Sequence, residues 1–288
     1  MAIRKEVLGE NHPDTAAGYN YTGVDYSKLG NKEKSLEFYQ KALVVREEIL
    51  GKNHRDTATI YSNIGNVYKN MDDYSKALEF HQKALAVRKE VLGEKHRDTV
   101  KSYNNIAGIY SKLGDKEKAL EFYQTALVIR EEILGGKHLD TAKSYNSIGN
   151  AYYAMEDYPN ALEFYQKALA VREEVLGKNH RDTATIYSNI GNVYKNMDDY
   201  SKALEFHQKA LAIRKEVLGE NHPDTVKSYN NVSSITSNPG IKKKEHSFFI
   251  KLLLSVLKLL GKIILIVPIV IVALVMIIKE LIKKIKHK

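Results

Sequence analysis

Residues 57–93 read TATIYSNIGNVYKNMDDYSKALEFHQKALAVRKEVLG. Tyr61, Ile64, Gly65 and Tyr68 stand at i, i+3, i+4 and i+7, the stripe of one helix face. Asp56 and Thr57, just before it, offer side-chain oxygens that can cap the helix start. Met71, Asp72 and Asp73 break the period. Ala77, Phe80, His81, Ala84, Val87 and Val91 then mark a second helix, closed at Leu92 and Gly93, with glycine where a left-handed cap is wanted. Gly65, Ala77 and Ala84 are small where two helices of a hairpin must approach, and the tyrosines fill the wider gaps. One hairpin cannot bury both stripes, so hairpins must stack.

The unit is copied. His-x-Asp-Thr recurs at His12, His54, His96, His138, His180 and His222, each step being 42 residues. Residues 51–93 and 177–219 differ only at Val87 against Ile213, three repeats apart, the mark of a duplicated block.

Tyr61, Ile64, Gly65, Tyr68, Ala77, His81 and Ala84 follow in order the pattern of the tetratricopeptide repeat, and Tyr145, Ile148, Gly149, Tyr152, Ala161, Tyr165 and Ala168 do so again. The 42-residue period, with Leu-Gly-x-x-His-x-Asp-Thr in its extension, resembles the kinesin-light-chain type. The resemblance implies an all-α fold, a right-handed α-solenoid of helix hairpins. Its parts would be a partial second helix and turn at 1–15, repeats at 16–57, 58–99, 100–141, 142–183 and 184–225, and a partial repeat at 226–231. Lys89 replaces the last proline of the usual motif and Ala107 a glycine. Thr22 and Ser35 occupy core positions of the first repeat, which predicts looser packing at the amino end.

Charge separates the array from the carboxyl-terminal segment. The 288 residues carry 44 Lys and Arg against 35 Asp and Glu, a formal net charge of +9. Residues 242–288 hold 11 of the Lys and 2 of the acids, so the remainder is neutral and no nucleic-acid surface is indicated. The chain has no cysteine, which excludes a disulfide framework, a thiol nucleophile and a Cys-ligated metal. The repeat histidines lie a full solenoid step apart, roughly 10 Å for packed helices, too far to share a metal; they read as turn residues or caps. His81 and His207 read as packing residues. Asp72 and Asp73, with Asp198 and Asp199, sit in hairpin turns without the oxygen-rich loop that calcium needs. No phosphate loop, catalytic constellation, metal spacing or cofactor motif is present, and the chain reads as no enzyme.

In the family that the repeats resemble, the first helix of each hairpin lines a concave face. The resemblance therefore makes a peptide-binding groove of Asn63, Asn66, Lys69, Asn70, Lys101, Asn104, Asn105, Lys143, Asn146, Asn150, Asn189, Asn192, Lys195 and Asn196. Across these first helices, with Lys28 and Lys227, the non-core positions carry seven Lys and no Asp or Glu. Asn carboxamides offer both donors and acceptors to the backbone of an extended peptide, and lysines favour acidic segments. Partners are thus proteins or peptides, acidic ones above all.

After Asn231 the pattern stops. Residues 232–247 read as a polar and basic linker and 248–262 as an amphipathic basic segment suited to a membrane surface. Residues 263–278 are uncharged, and 13 of these 16 are Ile, Leu or Val. They favour insertion by about 4 to 8 kcal/mol. With Lys262 and Lys279 snorkelling, a transmembrane helix is predicted at 259–282, followed by a basic tail at 283–288. Without an amino-terminal signal peptide, this layout resembles a tail-anchored protein whose solenoid faces the cytosol, on the endoplasmic reticulum or the mitochondrial outer membrane. The resulting expectation is a non-catalytic scaffold or adaptor on a membrane. Two alternatives stand beside it: a soluble, cytoplasmic kinesin-light-chain-like scaffold fragment with a tail translated from non-coding sequence, and a regulatory module of a larger signalling assembly.

Overall fold

A computed structural model describes residues 6–237, together with Ser255 and Met276. The chain divides into two compact units, Met1–Ser228 and Tyr229–Lys288. Among the described residues every regular element is a helix: α1 (Pro13–Lys28), α2 (Lys32–Leu50), α3 (Arg55–Asn70), α4 (Tyr74–Leu92), α5 (Arg97–Leu113), α6 (Lys116–Leu134), α7 (Leu139–Ala154), α8 (Tyr158–Leu176), α9 (Arg181–Asn196), α10 (Tyr200–Leu218) and α11 (Pro223–Thr236). From α1 to α10, consecutive helices pack on one another, odd and even numbers forming the two arms of successive hairpins.

The odd helices begin earlier than the sequence predicts. Each is capped by the repeat histidine: His54 Nδ1 accepts the backbone N–H of Asp56 at 3.1 Å, and His12, His96, His138, His180 and His222 repeat the bond. An Nδ1 that accepts must be unprotonated, so the ring proton sits on Nε2. The cap expected from Asp56 and Thr57 is thus corrected to His54, because Thr57 turns its hydroxyl back onto the Gly51 carbonyl at 2.9 Å. Repeat boundaries drawn after each Asp-Thr consequently fall inside the first turn of these helices.

The even helices start on Asp or Asn; Asp73 Oδ1 accepts the Lys76 N–H at 3.1 Å. They end on glycines such as Gly93, at φ 82° and ψ 168°. That differs from the left-handed cap read from the sequence: it is the region with positive φ and extended ψ that is essentially confined to glycine.

Ile64, Ala77 and Ala84 are fully buried, as the stripes require, and burying a side chain such as Ile64 stabilises by about 1.5–3 kcal/mol. Phe80 stacks on Tyr68 with ring centroids 5.7 Å apart, a pairing repeated by Phe164 on Tyr152 and Phe206 on Tyr194. In the first repeat the Ser35 hydroxyl donates to the Gly23 carbonyl at 2.8 Å and Thr22 to that of Gly18 at 2.9 Å, so both polar substitutions are satisfied within the packing.

A buried or partly buried arginine joins each hairpin to the next. Arg88 on α4 donates to Ser102 Oγ on α5 at 2.7 Å, Arg130 to Ser144 at 2.5 Å, and Arg214 to both Ser228 at 2.6 Å and Ser188 at 3.0 Å. Ile60 and Ile186 occupy the equivalent of Ser102 in the two copied repeats. There Arg46 meets the Asp56 carboxylate at 3.7 Å and Arg172 donates to the Asp182 carbonyl at 2.6 Å. Burial lowers the pKa of Arg88, Arg130, Arg172 and Arg214.

Helix α11 runs on through Thr236, past the boundary at 231 and into the segment read as linker. Among the described residues no helix is long and apolar enough to cross a membrane. The span expected at 259–282, and the flanking segments 248–262 and 283–288, lie outside the described residues apart from Ser255 and Met276.

Candidate functional site

The odd helices lie side by side, and their asparagines bridge from one repeat to the next. Asn63 Nδ2 donates to Asn20 Oδ1 at 3.0 Å, and Asn189 Nδ2 to Asn146 Oδ1 at 2.9 Å. Several of the expected groove residues are therefore engaged within the protein. Asn104 bonds its own helix at the Val100 carbonyl (2.8 Å), and Asn105 approaches His81 Nδ1 at 3.5 Å. Asn150 Oδ1 accepts the Tyr165 hydroxyl at 2.7 Å. Asn196 donates to the hydroxyls of Tyr153 (3.0 Å) and Tyr158 (3.4 Å). Lys143 pairs with Asp140 at 2.8 Å. Lys101 is exposed, and Asn66 and Asn192 are half-buried.

Lys69 and Asn70 are brought together in a cavity of about 670 Å³ at the carboxyl ends of α1, α3 and α5. Lys32, Asp72, Lys112 and Tyr123 share it. The Lys32 ammonium donates to the Asn70 carbonyl, so the first residue of α2 closes the end of α3. The presence of Asp72 corrects the expectation of an acid-free face. This residue leaves the end of α3 at φ 61° and enters the cavity from the hairpin turn, where the first-helix positions alone gave no sign of it.

His81 is fully buried against Gly65. Burial, reinforced by the charges of Lys69 and Arg88, lowers its pKa to about 4. His207 repeats this against Gly191, with Lys195 and Arg214 as the nearby cations, and falls to about 4 as well. Burial also raises the Tyr123 phenol. Sequence reasoning missed Tyr123 and Lys32 as cavity residues. The signal was available at Gly108, which stands where three of the other four hairpins carry Asn66, Asn150 and Asn192 and the first carries Val24.

Hairpins stacked through interlocking odd helices, with a polar face of Asn and Lys and a cavity of about 670 Å³, define a helical repeat protein. The chain belongs to the tetratricopeptide repeat family: the family profile matches residues 33–90, 56–132, 98–174, 140–216 and 182–237. Comparison with curated proteins gives no significant match. Among solved structures the chain is similar to BtubC (BKLC) from P. vanneervenii, at 26% identity over 77% of this chain and 87% of that one, with a TM-score of 0.64. It is also similar in fold to the nearly identical TPR-like repeats assigned to a kinesin light chain of Podosopora anserina, at 17% identity over 72% of this chain and 98% of that one, TM-score 0.63. A Rap protein solved in complex with competence and sporulation factor shares the fold at 18% identity over 76% of this chain and 64% of that one, TM-score 0.56. The kinesin-light-chain character read from the 42-residue period is upheld by these neighbours.

Proposed function

We propose that the chain is a non-catalytic scaffold whose odd-helix face binds extended, acidic segments of partner proteins. The observation that carries this is the row of Asn and Lys on adjacent odd helices, which opens at Lys69, Asn70 and Lys112 into the cavity of about 670 Å³. Carboxamides can pair with peptide backbone whatever its side chains, and lysines add attraction for acidic ones. A protein of the same fold solved with competence and sporulation factor supports a binding role. The apolar run at 263–278, flanked by lysines, supports attachment of this scaffold to a membrane through 259–282.

The test is fluorescence anisotropy of extended peptides graded in glutamate content, against the wild type and a Lys69→Gln, Lys101→Gln, Lys112→Gln variant. Affinity should rise with glutamate content, fall with salt and collapse in the variant. Affinity indifferent to peptide charge and to the three substitutions would overturn the reading.

A further inference from the structure

We propose that the cavity at the carboxyl ends of α1, α3 and α5 is an anion subsite. It would receive one carboxylate or phosphate of a bound peptide on the Tyr123 hydroxyl and the ammonium groups of Lys69 and Lys112. The proposal rests on the groove reading above and assigns its decisive contact.

The hydrogen bonds around the cavity engage Asn70 and Asp72 as acceptors and leave three donor side chains open. The Asn70 carbonyl takes the Lys32 ammonium, and the Asp72 carboxylate takes the Tyr74 hydroxyl at 2.6 Å. Among the described residues, Lys69, Lys112 and Tyr123 have no hydrogen-bond or ion-pair partner. Lysine can only donate, so the open groups here call for an acceptor. The helix ends contribute about half a negative charge each, which Lys32 meets directly at Asn70. Asp72 adds a full negative charge, and against these the cavity sets the ammonium groups of Lys32, Lys69 and Lys112, of which Lys32 is engaged at Asn70. A volume of about 670 Å³ also exceeds the roughly 30 Å³ share of a water molecule many times over, enough for an acidic side chain with its flanking backbone.

Comparison with the other hairpins shows why this place is special. Tyr165 occupies in α8 the position of Tyr123 in α6, and its hydroxyl is satisfied by Asn150 at 2.7 Å. In the Tyr123 hairpin the asparagine is replaced by Gly108, whose missing Cβ would lie 3.6 Å from the Tyr123 hydroxyl oxygen. The phenol is left without its internal acceptor. In the copied block, Tyr153 and Tyr158 stand where Ser27 and Lys32 do, and they hold Asn196, the counterpart of Asn70. Two segments that differ at one residue are thus given different surroundings, and only the first presents this donor set.

The probes are fluorescein-labelled oligoglutamate, oligoglutamine, and oligoglutamine carrying one phosphoserine. Binding is read by anisotropy and by the ¹³Cζ resonance of Tyr123, assigned with Tyr123→Phe. Oligoglutamate should shift that resonance and oligoglutamine should not. Tyr123→Phe should weaken oligoglutamate about tenfold, the loss expected for a hydrogen bond to a charged group. Gly108→Asn should do the same while keeping every lysine, because it returns an acceptor to the phenol. Lys167→Gln, on the even helix α8 and paired there with Glu163, should change nothing. Tighter binding of the phosphoserine probe than of oligoglutamate assigns the subsite to phosphate, and the reverse order assigns it to carboxylate. Unchanged oligoglutamate affinity in both Tyr123→Phe and Gly108→Asn would overturn the subsite and leave the groove standing. Failure of the wild type to bind any of the three probes would overturn both.

Discussion

The imidazole of His81 lies against Gly65 so closely that a Cβ at residue 65 would sit 2.8 Å from its Cδ2 and 2.9 Å from its Nε2. Gly65→Ala must therefore push the ring, and with it α4, outward. A cost of about 1–3 kcal/mol for overpacking is expected, reduced by the roughly 1 kcal/mol that alanine gains over glycine inside a helix. Gly108→Ala meets only the Tyr123 hydroxyl, at 3.6 Å, and should be neutral or stabilising. Urea denaturation of the two variants side by side tests the contrast.

The same ring makes stability depend on pH. His81 and His207 are buried, and their folded-state pKa of about 4 lies below the ordinary 6.5. Between these values the unfolded chain binds protons that the folded one refuses, so stability is full above pH 6.5 and declines as pH falls toward 4. The loss approaches about 3 kcal/mol for each histidine. His81→Tyr with His207→Tyr restores the residue that Tyr39, Tyr123 and Tyr165 supply elsewhere. Its Tm should fall less between pH 7 and pH 5 than that of the wild type; an equal fall would contradict the assignment.

Loss of an odd-helix cap is a local effect. His54→Ala removes the acceptor for the Asp56 N–H and should cost about 1 kcal/mol. His54→Asn keeps a side-chain acceptor and should recover most of that, as read by chemical denaturation at pH 7.5.

Ser102→Ala leaves the buried Arg88 guanidinium with only the long 3.4 Å contact to the Asp98 carbonyl. A destabilisation of about 1–3 kcal/mol is expected from the unsatisfied donor. Hydrogen exchange should rise first at the α4–α5 junction, and uniform exchange along the array would argue against the arginine as a junction clip.

If residues 259–282 anchor the scaffold, the full chain should stay in the membrane pellet after carbonate extraction, whereas a chain ending at residue 240 should be released. Release of both excludes a spanning anchor.

The period of 42, the helical stripes and the small residues at the hairpin contact made the fold readable residue by residue, because each feature is local and repeated. Side-chain reach escaped. Nothing in the order of residues says that the His54 imidazole, not Asp56 or Thr57, accepts the first amide. Nor does it say that Arg88 crosses to Ser102 in the next hairpin. The groove was readable as a face and not as a site: Asn63 and Asn189 spend their carboxamides on the asparagine one repeat back, Asn104 on its own helix and Asn196 on two tyrosine hydroxyls. Lys69 and Asn70 could be named from helix position, but their cavity companions Lys32, Asp72 and Tyr123 come from other helices and a turn.

The arginine clips bear on how such a gene can change length. Each clip links the second arm of one hairpin to the first arm of the next, and every second arm from α2 to α10 carries the arginine, as Arg46, Arg88, Arg130, Arg172 or Arg214. Recombination that adds or deletes whole 42-residue units therefore joins a clip donor to a ready acceptor, a serine in some units and an Asp carboxylate or carbonyl in others. Copy number is free to drift without a mismatched seam, while the anion subsite, which needs three different neighbours in order, is lost by any cut that falls among them.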